Sequence, residues 1–93
     1  MPIAKRDFIQ ILQRLGFSEI QGKDYLFFEL RTASRIIRTK VSRGSDKDIS
    51  NALLSHILRH QIYLTKAEFN QAKQGQLSQD EYMHLLREKG IIQ

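Results

Sequence analysis

Between Arg35 and Ser42 the chain alternates from Ile37 onward, with Ile37, Thr39 and Val41 on one parity and Ile36, Arg38 and Lys40 on the other. In a strand this period of two sends one set into a core and the other toward solvent. A strand with a charged face does not belong in a sheet covered on both sides, so the pattern points to an antiparallel sheet with helices on one face only. Tyr25-Leu26-Phe27-Phe28-Glu29-Leu30-Arg31 supplies a second, aromatic-rich strand with Leu26, Phe28 and Leu30 on one face. Thr32-Ala33-Ser34 is the hairpin loop between the two. Phe17 to Gln21 is a short third strand, joined to the second by the turn residues Gly22-Lys23-Asp24.

Helices flank this unit. Phe8, Ile11, Leu12 and Leu15 form an i, i+3, i+4, i+7 stripe that predicts a helix from about Ile3 to Leu15, with Gly16 as its left-handed cap. After the polar connection from Arg43 to Asp48, the stripe Ile49, Leu53, Leu54, Ile57 and Leu58 predicts a second helix. Leu64-Thr65-Lys66-Ala67-Glu68-Phe69 and Leu77-Ser78-Gln79-Asp80-Glu81-Tyr82 repeat one signature: Ser or Thr at the N-cap, Glu at N3, and an apolar pair at N′ and N4. That is a capping box with a hydrophobic staple, so two more helices are expected, closed near Gly75 and Gly90. Their apolar residues Phe69, Tyr82, Leu85, Leu86 and Ile91 need a covering, either the core or another chain, and a homo-oligomer or partner interface is the expectation for the tail.

The charge is unevenly placed. Of the formal net charge of +5, none comes from the first 30 residues or from Asp48 onward; it all sits between Arg31 and Lys47, where six Lys and Arg face Asp46 alone. A clustered basic stripe is the footprint of phosphate-backbone binding, since each neutralised phosphate releases counterions. The competing account is a solvated strand face kept basic for solubility and edge protection. The preferred phosphate contacts are Arg38, Lys40, Arg43 and Lys47, with Lys23 at the turn and Arg59 from the second helix. Tyr25 and Phe27 share the face opposite Leu26, where they would either stack on RNA bases or pack beneath a helix.

The 93 residues leave room for one core and one site, and the absence of cysteine excludes disulfides, thiolate metal sites and a thiol nucleophile and fits a reducing cytoplasm. The N-terminal residues carry no apolar h-region and no run is long enough to span a bilayer, so neither an export signal nor a membrane partner is expected. His56 and His60 stand at i, i+4 without HExxH or a carboxylate third ligand, so no metal and no cofactor is expected, and His84 is taken as a surface residue.

The order is α-β-β-β-α plus a helical tail, an α+β arrangement shared by the double-stranded-RNA-binding-like sandwich. From about Arg6 to Phe69 the chain resembles the HicA-type toxins. The resemblance rests on Leu15-Gly16-Phe17, Gly22-Lys23-Asp24, Thr39-Lys40-Val41-Ser42-Arg43-Gly44-Ser45 and Leu54-Ser55-His56-Ile57-Leu58-Arg59-His60. It implies a small RNase acting on mRNA and silenced by a HicB-type antitoxin, with residues 1–64 as the RNA-binding core and residues 65–93 as the tail. In that family a histidine enters the second strand as the catalytic group, and the matching position here is Asp24. An aspartate ordinarily titrates at about 4, too low for a base at neutral pH. The proline and second histidine of the family's third-strand region correspond to Ser42 and Arg43, and Arg43 can hold a phosphate but cannot act as a base. Three functions are open: a HicA-like RNA-binding component of a toxin-antitoxin module that is an RNA endonuclease if Asp24 supports cleavage, a non-catalytic module for RNA or protein, or a structural subunit that assembles through its tail.

Overall fold

The computed structural model describes residues 2–93. Its element order is β1 (Ile3–Ala4), α1 (Lys5–Arg14), β2 (Ser18–Gln21), β3 (Tyr25–Arg31), β4 (Ile36–Ser42), β5 (Asp48–Ile49), α2 (Asn51–His60), α3 (Lys66–Lys73) and α4 (Gln79–Glu88). It is a small α+β fold with four helices and two antiparallel sheets, β2-β3-β4 and a two-residue ribbon β1-β5. Among the described residues no helix is long and apolar enough to cross a membrane.

The three-stranded sheet follows the alternation. Leu26 pairs with Val41, Phe28 with Thr39 and Leu30 with Ile37, giving an inner row in which Phe28 and Ile37 are almost wholly buried. Thr39 is the buried polar member of that row, and its hydroxyl donates to Gln61 Oε1 at 2.6 Å, which satisfies it. Helix α1 lays Phe8, Ile11 and Leu12 into the same core. It ends in a Schellman motif: Phe17 N–H donates to Leu12 C=O and Gly16 N–H to Gln13 C=O. Gly16 takes φ of +102°, which a side chain would resist.

Two boundaries differ from expectation. Helix α1 begins at Lys5 rather than Ile3, because Ile3 and Ala4 pair with Ile49 and Asp48, and Lys5 N–H closes the ribbon on Lys47 C=O at 2.8 Å. Ile49 therefore belongs to a strand and not to the second helical stripe. It is still buried, together with Ile3. Helix α2 starts two residues later, capped by Ser50 Oγ, which accepts from Leu53 N–H. That leaves Leu53 half exposed while Ile57 and Leu58 point inward.

Both capping boxes form. Thr65 and Glu68 exchange side-chain and backbone bonds at the start of α3, and Ser78 and Glu81 do so at α4. Burial pushes the Glu68 carboxyl up, but hydrogen bonds from Lys89 and Thr65 outweigh it and hold the group below its ordinary range. The tail helices cover the core of their own chain. The Phe69 ring lies 6.1 Å from that of Phe8, and Tyr82 lies 6.0 Å from Phe17. Phe69, Ala72, Leu77, Tyr82, Leu86 and Ile92 join one hydrophobic cluster with the sheet and α1. A radius of gyration of 12.6 Å agrees with the ~12 Å expected for a single packed unit of this length.

Tyr82 ties the two parts together. It is fully buried, its hydroxyl donates to Ile62 C=O at 2.8 Å, and burial pushes its phenol far above the usual range. Tyr82→Phe is expected to cost about 1 kcal/mol by leaving the Ile62 carbonyl unpaired, whereas Tyr82→Ala should cost roughly 3–5 kcal/mol through the cavity it opens. Urea unfolding checks both, and an alanine variant as stable as the parent would mean that the tail does not hold the core.

Candidate nucleic-acid interface

The wet face of the sheet follows from the register. Ser18 stands opposite Glu29 and Ile20 opposite Phe27; on the other side Lys40 faces Phe27, Arg38 faces Glu29 and Ser42 faces Tyr25. Directly opposed residues share a face, so Ile20, Tyr25, Phe27, Glu29, Arg31, Arg38 and Lys40 form one surface. Ile20 is 42% exposed, Phe27 40% and Tyr25 37%, so no helix covers the two aromatic rings. Of the two fates open to Tyr25 and Phe27, the structure takes the exposed one.

Their rings lie 6.1 Å apart, and the Lys40 ammonium sits 4.2 Å from the centre of the Tyr25 ring. The Phe27 ring packs over Gly22, where an added Cβ would stand 2.6 Å from it. Ile20, Phe27, Glu29 and Arg38 line a shallow hollow of about 350 Å³. Glu29 tempers the charge: its carboxylate meets Arg38 Nε at 2.9 Å and Arg31 at 3.6 Å. Three cations on this face therefore oppose one carboxylate, and among the described residues Lys40 forms no ion pair.

The remaining basic residues stand in different settings. Arg43 donates to Gln21 Oε1, and Gln21 stands opposite Leu26, on the helix-facing side of the pleat. Its backbone N–H binds Asp24 C=O at 3.0 Å, which brings Arg43 against the exposed Lys23-Asp24 turn. Lys47 lies exposed in the loop before β5, beside Asp46 and Asp48. Arg59, on α2, lines a different groove, with no strand residue among its walls. Lys5 joins the end of β4 instead, its Nζ donating to Ser42 C=O at 3.0 Å. Lys5 and Ile20 were invisible to sequence reasoning as site residues, because only the pairing of β1 and of β2 brings them there. His56 and His60 have ring centres 4.9 Å apart, and among the described residues no group of three metal-capable side chains forms.

Comparison with known proteins returns no match among family models, curated proteins or solved structures.

The turn under Phe27 makes a prediction about this surface. In Gly22→Ala the new Cβ would collide both with the Phe27 ring and with the Tyr25 carbonyl, each at 2.6 Å. A cost of about 1–3 kcal/mol is expected, with Phe27 ring resonances shifted in NMR spectra; unchanged shifts and stability would show that the ring does not rest on the glycine.

Proposed function

We propose that this protein binds unpaired RNA on the wet face of β2-β3-β4, as a HicA-like module of double-stranded-RNA-binding-like arrangement whose partner is a HicB-like antitoxin. The observation that carries the RNA reading is Lys40 seated over Tyr25 beside Phe27, because it joins a cation to two exposed aromatic rings on one pleat. Such rings accept the π-faces of unstacked bases, and cations beside them hold the backbone. A duplex hides its base faces and would leave the rings unused. Lys40, Arg38 and Arg31 are the proposed phosphate contacts, and Tyr25 and Phe27 the proposed stacking platform. The order α1-β2-β3-β4-α2 supports the HicA-like reading.

Binding rather than cleavage is the proposed activity. Asp24 lies exposed in a turn with Lys23 and beside Arg43, and these three bring no histidine to the position. RNA cleavage without a metal needs a base that can take the 2′-hydroxyl proton near neutral pH. Asp24→His, incubated with mRNA, is the variant expected to gain cleavage if the turn corresponds to the family's catalytic position.

Salt titration of RNA affinity tests the surface. Replacing Arg38 and Lys40 by Ala should weaken binding to all sequences alike and lower the slope of log affinity against log salt by roughly 0.7 per lost phosphate contact. Phe27→Ala should cost about 1–3 kcal/mol of affinity and leave that slope unchanged. Asp24→Ala should leave both nearly as they are. No detectable RNA affinity at low salt, or an unaltered slope in the double variant, overturns the proposal.

A further inference from the structure

Three helices give way to glycines in the left-handed region, Gly16, Gly75 and Gly90, at φ of +102°, +77° and +74°. The segment after α2 makes the same excursion at Tyr63, φ +59°, the one non-glycine residue with positive φ among the described residues. A left-handed backbone crowds Cβ, so a bulky residue persists there only when its surroundings hold it. The surroundings do. Arg35 sits 5.5 Å from the ring centre and donates to the Tyr63 hydroxyl at 3.3 Å, while Lys89 Nζ donates to the Tyr63 C=O at 2.9 Å.

Fixed in this way, Tyr63 walls a groove of about 550 Å³ between α2 and the chain's last turn. Leu58, Leu64 and Ile91 give it an aliphatic floor, and Arg59, Lys66 and Lys89 give it a basic rim. No acidic residue lines it. Lys89 is paired with Glu68, but Arg59 and Lys66 meet no carboxylate among the described residues. An aliphatic floor under unpaired cations complements a segment that carries leucine-type side chains between carboxylates.

We propose that this groove docks an acidic amphipathic peptide segment of a partner protein, its apolar side chains over Ile91 and the edges of Leu58 and Leu64 and its carboxylates at Arg59 and Lys66. The floor argues for peptide over nucleic acid: it is aliphatic, and its one aromatic ring already carries the Arg35 guanidinium. The proposal stands apart from the RNA reading, because no residue of the wet sheet face lines the groove.

The test uses the full chain and three fluorescein-labelled peptides: alternating Leu and Glu, alternating Leu and Lys, and alternating Ser and Glu. Fluorescence anisotropy should show binding of the first alone. Arg59→Glu should weaken that binding roughly tenfold, since it sets like charges together, while Arg87→Glu, an equal change of net charge on α4 outside the groove, should not. Tyr63→Gly relieves the backbone but gives up the ring's contacts with Arg35; once thermal unfolding shows the variant folded, it should bind the peptide more weakly, and full affinity in it overturns the proposal. Equal binding of all three peptides, no binding of the first, or full affinity in Arg59→Glu overturns the proposal. So does an Arg59→Glu variant that loses RNA affinity or changes mass in light scattering instead, which would give the groove to RNA or to a second copy of the chain.

Discussion

Phe27 and Phe28 are neighbours in sequence with opposite surroundings, one 40% exposed and the other fully buried. The pleat of β3 imposes this, since successive Cβ atoms leave a strand on opposite sides. The placing of the helices follows from Phe28 facing inward. Once it and the inner row Leu26, Leu30, Ile37 and Val41 claim the core side, all four helices have an apolar surface on that side to cover. The outer row is left to solvent. A candidate binding face is therefore what remains when a short chain spends its helices on one side of its only large sheet.

The same constraint explains the tail. Helix α1 and α2 do not finish the covering, and Phe69, Tyr82, Leu86 and Ile92 complete it. Packing is reinforced by polar links between distant parts: Lys89 Nζ to Tyr63 C=O, Gln93 N–H to Ser34 Oγ, and Arg35 to both Tyr63 and Ile91. The last residues thus return to the β3-β4 loop. A chain of this size has little core to spare, so a helix that supplies Tyr82 is part of the fold rather than an attachment to it.

Much of this was legible in the sequence because its determinants are local. The strand Tyr25–Arg31, the stop at Gly16 and the two capping boxes each depend on residues a few positions apart, and each appears where the pattern put it. The β1-β5 ribbon was not legible, since Ile3 and Ile49 meet across most of the chain and two residues carry no period. The charge stripe is a cluster along the chain, and the chain order does not say which of its members share a surface. One-dimensional order shows Arg38 and Arg43 in the same basic run, but it takes the register to put Glu29 against Arg38 and Gln21 against Arg43. Tyr63 was missed for a similar reason. Its meaning lies in a backbone angle that composition does not encode.

Edge protection remains the strongest competitor for the basic residues of β4, which is an outer strand of the sheet. Exposed Arg38 and Lys40 would guard such an edge against pairing with another chain, and charged residues on edges need no ligand to explain them. That account predicts a uniformly polar face. It gives no reason for Ile20, Tyr25 and Phe27 to stand exposed beside those cations, because exposed apolar area promotes the association that the charges would prevent. Solubility would be served equally well by threonine at all three positions, with a strand propensity no worse. Base stacking requires rings, and phosphate binding requires cations within reach of them; one face of this sheet has both, in contact at Lys40 and Tyr25. The aromatic residues, rather than the charge that first marks the segment, are thus what the guarded-edge account leaves unexplained.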